Sequence, residues 1–81
     1  MNEVFYTTIE NQKRADGSFG LLYDHFEGEV NGLSAEQRAY AKFYTICASA
    51  TTAEIYTGVM LVRSDGVIVE NKVFNHLKVQ E

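Results

Sequence analysis

Residues Leu33–Ala50, LSAEQRAYAKFYTICASA, constrain the fold more than any other part of the chain. Ser34 followed by Gln37 makes an S-x-x-Q capping box, in which each side chain satisfies a backbone N–H that a helix leaves unpaired in its first turn. Glu36 suits the positive end of the helix dipole. The interior is built from Ala, Arg, Lys and Gln, all good helix formers. Helical spacing puts Arg38, Lys42, Thr45 and Ser49 on one narrow face. Tyr40, Phe43, Tyr44, Cys47 and Ala50 fall roughly opposite, flanked by Ala39 and Ile46. The first stripe is expected to face water and the second a sheet. Thr51-Thr52 should end the helix, because β-branched residues begin there and a strand-like run follows.

Each side of this helix reads as a hairpin. Residues 4–12, VFYTTIENQ, are rich in β-branched and aromatic residues and predict a strand. Lys13–Ser18 is turn chemistry, with Asp16-Gly17 supplying the positive φ of a tight reversal. Phe19–Phe26 then reads as a returning strand in which Gly20 could mark a bulge. A short helix over Leu21–Glu27 is the alternative. Gly28–Gly32 is a loop into the Ser34 cap. After the helix, Ile55–Arg63 and Val67–Phe74 flank Ser64-Asp65-Gly66. A two-residue loop there groups Met60, Val62, Val67 and Val69 on one face, and a three-residue loop groups Val59, Leu61, Val67 and Val69. In either register Glu70 and Lys72 share a face, which is expected to meet solvent. Residues 75–81 should be a frayed tail or a strand extension.

The result is an α+β fold of order ββαββ: a four-stranded antiparallel sheet with one central helix packed on one face. At 81 residues, the whole chain 1–81 is expected to be one small domain. The turns Arg14-Ala15-Asp16-Gly17 and Arg63-Ser64-Asp65-Gly66 look alike, which Asp-Gly being a common hairpin solution explains without an internal repeat. One helix covers only part of such a sheet. Its other face should carry residues drawn from Phe5, Tyr6, Phe19, Tyr23, Met60 and Phe74. A contiguous exposed apolar patch of that kind marks a partner surface or a self-association surface.

Composition excludes several classes. A hydrophobic fraction of 46 % with 22 % charged residues is globular rather than disordered. The net charge of −4 repels phosphate backbones at long range, so nucleic-acid binding would need a local basic patch, and only Lys13-Arg14 approaches one. A single cysteine, Cys47, permits no internal disulfide and fits a reducing compartment. The N-terminal MNEVFYTTIEN lacks the cationic and apolar regions of a signal peptide. Phe43–Val62 carries one charge, Glu54, but its Ser, Thr and Gly residues and its split into helix end and strand argue against a membrane span. A cytoplasmic location is expected.

No chemistry-bearing motif stands out. Asp24 and His25 are adjacent on a strand and point to opposite faces, so they form no dyad. His25 could reach Cys47 or His76 only through tertiary contact, and Cys47 on the apolar helix face reads as a small hydrophobe rather than a nucleophile. The histidines, Cys47 and scattered carboxylates lack the paired spacing of a zinc site. Asp24, Glu27, Glu29 and Asn31 do not follow a calcium loop. The glycines form no phosphate-binding pattern. No catalytic residue, metal or cofactor is therefore expected. Five tyrosines, at 6, 23, 40, 44 and 56, suggest a stacking platform for single-stranded nucleic acid, but such platforms also need basic flanks.

The runs FYTTIENQKRADGSFGLLYDHFEGE and AEQRAYAKFYTICASA, with VRSDGVIVENKVF, resemble small uncharacterised proteins carried by conjugative or integrative elements of gut Firmicutes. The resemblance implies a bacterial, cytoplasmic, accessory role and brings no activity or site residue with it. The residues themselves point first to a non-enzymatic interaction module, a homodimer or a protein that docks on a partner. Val4, Tyr6, Phe19, Tyr23 and Phe74 are its candidate contact residues. A nucleic-acid-binding accessory factor using the Lys13/Arg14 and Arg63 turns is the second reading. An enzyme built on Cys47 and His25 is the third.

Overall fold

Both Asp-Gly segments close the same kind of turn in the structure, a computed structural model that describes residues 4–77. In the first, the Arg14 N–H donates to Ser18 O at 2.9 Å and the Gly17 N–H to Arg14 O at 3.0 Å. In the second, Arg63 donates to Val67 O at 2.9 Å and Gly66 to Arg63 O at 2.8 Å. Each loop is therefore three residues long and ends in a glycine with positive φ, 86° at Gly17 and 89° at Gly66. The aspartate in each accepts the N–H two residues on, Ser18 to Asp16 and Val67 to Asp65.

These turns join β1 (Tyr6–Lys13) to β2 (Phe19–Phe26) and β3 (Tyr56–Arg63) to β4 (Ile68–Asn75), with α1 (Ala35–Thr52) between the two hairpins. The sheet is four-stranded and antiparallel, in the order β2-β1-β3-β4. This is the expected ββαββ α+β fold. Phe19–Phe26 is a strand throughout, so the short-helix alternative over Leu21–Glu27 does not hold. His76 N–H adds one bond to Ile55 O beyond β4. The rest of the C-terminal tail, 78–81, lies outside the described residues.

The two hairpins are related by a local twofold through the centre of the sheet. The displacement that carries Arg14, Asp16 and Gly17 onto Arg63, Asp65 and Gly66 also carries Glu10 onto Val59, its own cross-strand partner. The relation holds into β4 as far as Ile68, which pairs with Val62 as Phe19 pairs with Lys13. It breaks there, because an irregularity leaves Val69 as an extra residue before Glu70 meets Leu61. Gly20, which could have marked a bulge, does not form one. Gly20 pairs regularly with Gln12, and the bulge lies in β4 instead.

Helix α1 begins as the sequence requires. Ser34 Oγ accepts from Gln37 N–H at 3.1 Å, and Gln37 Oε1 accepts from Ser34 N–H at 2.9 Å. The segment before it holds a reversal that composition alone did not separate from loop. Val30 and Leu33 exchange backbone bonds across Asn31-Gly32, with φ of 51° and 79° at the two turn residues. Both central residues at positive φ is the signature of an Asn-Gly hairpin turn.

The helix is rotated relative to the sequence expectation. Its buried line runs Ala35, Ala39, Phe43, Ile46 and Ala50, while Tyr44 is 56 % exposed. Phe43 packs with Tyr6, Val59 and Leu61, and Tyr40, Cys47, Val69 and Phe74 close the β4 side. Arg38 and Lys42 do not simply face water. Arg38 donates to the carbonyls of Glu27 and Gly28 and lies over the Phe26 ring, and Lys42 pairs with Asp24 at 3.6 Å. The small Ala39 and Ala50 bring the backbone close to the sheet, which sets the line of contact more firmly than the bulkier tyrosines do.

Candidate functional site

The cross-strand pairs assign every strand residue to a face, because residues directly opposite share one. Tyr6, Thr8, Glu10 and Gln12 in β1 lie on the helix side with Arg63, Leu61, Val59 and Thr57 in β3. The other face is open. It carries Phe19, Leu21, Tyr23 and His25 from β2, and Thr7, Ile9, Asn11 and Lys13 from β1. Tyr56, Gly58, Met60 and Val62 come from β3, and Ile68, Asn71, Val73 and Asn75 from β4. Among the described residues no Asp or Glu occupies a strand position on this face, although the full chain has 11 of them. Glu27 touches only the rim, 3.6 Å from His25 Nε2.

The most exposed large side chains here are Tyr23 at 62 % and Phe19 at 60 %, with Leu21, Ile68 and Val73 also exposed. They form two ridges, one on each edge strand, because the twist and the outermost positions of β2 and β4 leave them without neighbours on one side. Between the ridges lies a depression of about 160 Å³ lined by Ile9, Asn11, Tyr56, Gly58, Met60, Asn71 and Val73. Gly58 makes it, since no side chain stands at that position. The Tyr56 ring leans over the gap, where a Cβ at Gly58 would sit 3.7 Å from its edge, and Lys13 Nζ caps that ring at 5.5 Å. Asn11 Oδ1 is buried beside the depression and has no hydrogen-bond partner among the described residues.

The five residues expected to make contacts are divided by the sheet. Phe19 and Tyr23 stand together on the open face, two turns of the pleat apart on β2. Tyr6 is a core residue, 7 % exposed, whose hydroxyl donates to Glu36 at 2.8 Å. Phe74 pairs with Thr57 and packs under the helix edge. Val4 is exposed but precedes β1. Phe5 and Met60 belong to the open side, Phe5 through its ring contact with His25 at 4.9 Å. Leu21, Ile68 and Val73 were the residues missed. Their signal was strand alternation counted outward from the three-residue turns.

Glu70 and Lys72 also change face. They pair with Leu61 and Val59 and therefore lie on the helix side. They stay wet because one helix does not reach across the β4 edge.

The remaining chemistry does not converge. His25 is on the open face, whereas Cys47 is on the helix under β4, so the sheet separates them. Burial pushes the Cys47 thiol above its ordinary value, with Lys72 opposing, which is the wrong direction for a nucleophile. His76 meets the Phe74 ring edge to face instead. Among the described residues no three His, Cys, Asp or Glu side chains are placed to hold a metal ion. The basic turns stand at opposite ends of the sheet, since Tyr6 pairs with Arg63 and Lys13 with Tyr56. Arg63 is held by Asp65 at 2.8 Å, and Arg14 by Gln12 and Ser18.

No helix among the described residues is long and apolar enough to cross a membrane. Comparison with known family models, curated proteins and solved structures finds no match to this chain.

Proposed function

We propose that this chain is a non-enzymatic interaction module that self-associates or docks on a protein partner through the open face of its sheet. One observation carries the reading. Phe19, Leu21, Tyr23, Ile68 and Val73 are exposed together on a face whose strand positions hold no carboxylate, while the acidic residues among the described ones sit on turns, loops, the helix and the helix side of the sheet. Depletion of charge with enrichment of aromatics is the composition of an interface centre rather than of ordinary surface. The setting proposed for it is the one the sequence resemblance implies, an accessory protein of a bacterial mobile element acting in the cytoplasm. Binding of nucleic acid is the weaker reading, because the cations that would flank a stacking platform are spread over both ends of the sheet and engaged by neighbours.

The test is Tyr23→Ser. Tyr23 lies outside the buried core, so the variant should keep its fold and its helical circular dichroism. Its association, measured by native mass spectrometry across a concentration range, should weaken. Unchanged assembly in a folded variant would remove the reading.

A further inference from the structure

We infer that the occupant of the open face is a second copy of this chain, packed sheet against sheet about a twofold axis parallel to the strands, with Tyr23 of each copy seated in the Gly58 depression of the other. The inference rests on the interaction reading above and adds the partner and the register.

Size favours an identical partner. Four strands of eight residues, at about 3.3 Å per residue and about 4.8 Å between strands, give a face of roughly 500 Å². Two such faces bury on the order of 1,000 Å², which is the lower bound for a specific interface. A second sheet of the same dimensions reaches that bound by covering the face completely.

The register follows from the strand order. A twofold parallel to the strands places β2 of one copy over β4 of the other and β1 over β3. Tyr23 is level with Asn71 along the strand direction, because both lie on the row of the Ile9–Met60 pair. The β2 ridge of each copy then falls beside the depression of the other, next to Asn71 and Val73. A twofold across the strands would instead set β2 over β2, two strands away from Gly58, and leave Tyr23 out of reach of either depression. The depression holds about 160 Å³, and an apolar cavity of about 150 Å³ accepts a benzene ring. Asn11 Oδ1 beside it is an acceptor without a donor, and of the β2 ridge residues Phe19, Leu21 and Tyr23 only Tyr23 carries a donor. The absence of carboxylates from the face lets two copies of an acidic chain meet there.

Gly58→Val is the discriminating variant. Its Cβ meets only ordinary van der Waals contact with Tyr56, and valine favours a strand where glycine does not, so the monomer fold should be as stable or more so. Filling the depression should nonetheless weaken dimerisation by about tenfold or more in sedimentation velocity. Tyr23→Phe should weaken it less than Tyr23→Ser. A Gly58→Val protein that dimerises like the wild type would overturn the register. A wild type that is monomeric at all concentrations, yet binds anilinonaphthalene sulfonate in a way that Tyr23→Ser abolishes, would overturn the second copy and leave the docking reading standing. A monomer that binds no dye would overturn both.

Discussion

The Tyr6 hydroxyl donates to the Glu36 carboxylate at 2.8 Å and so ties the first residue of β1 to the first turn of the helix. The bond to Glu36, then burial, then the negative charge of Glu36 hold the Tyr6 phenol above its ordinary value of 10.0. A raised value in the folded state means stability that is complete below about pH 10 and is lost as the pH climbs through the folded value. Melting temperature should therefore fall in alkali above about pH 10. Tyr6→Phe should reduce that fall and cost roughly 0.5–1.5 kcal/mol at neutral pH. Burial raises Tyr40 as well, so some alkaline loss should survive in the variant.

Thr8 is 1 % exposed between Asp24 and Leu61, and its hydroxyl has no hydrogen-bond partner among the described residues. Valine has nearly the same shape and no polar atom to desolvate. Thr8→Val should raise stability by about 1 kcal/mol, read from the midpoint of urea unfolding at constant slope. A loss of stability would mean that the hydroxyl is satisfied in solution.

The matched turns give a paired prediction. Gly17 and Gly66 both hold positive φ with open space around the missing Cβ, so alanine at either meets backbone strain and no clash. Each substitution should cost about 1 kcal/mol, and the two costs should agree. In acid the same turns should weaken together. Asp16 is held below the ordinary carboxylate value by Ser18, and Asp65 by Arg63 and the Val67 N–H. Their contribution is present above the ordinary value and is lost as the pH falls through the depressed ones. Amide exchange at Ser18 and Val67 should speed up over that acid range ahead of the core amides.

Strands, turns and helix limits were legible because each rests on local chemistry. Ser34 and Gln37 cap the helix, and Asp-Gly closes both hairpins. What was not legible was the assignment of side chains to faces. Tyr6 and Tyr23 look alike in sequence, yet Tyr6 is core and Tyr23 is surface, and only the count of residues through the turn separates them. Glu70 and Lys72 misled for a physical reason. Charge marks solvent, but on a sheet half covered by one helix the solvent also reaches the outer part of the covered side. The Val69 bulge shifted β4 by a residue with no Gly or other signal to announce it.

Salt separates association through the open face from binding to nucleic acid. Each copy of the chain carries a net charge of −4, so two copies repel at a distance, while the face itself exposes large apolar side chains and has no carboxylate at its strand positions. Added sodium chloride screens the repulsion over a Debye length that falls from about 10 Å at 0.1 M to about 3 Å at 1 M, and leaves the apolar contact intact. Self-association should therefore tighten, by a few-fold, as salt rises across that range. Contacts to phosphates behave oppositely, because counterions released on binding make affinity fall steeply with salt. Sedimentation velocity of the wild type at the two salt concentrations reads the sign directly. Tighter association at high salt places the contact on the carboxylate-free face, and dissociation at high salt would place it on the charged turns and the Lys42 and Asp24 side of the helix.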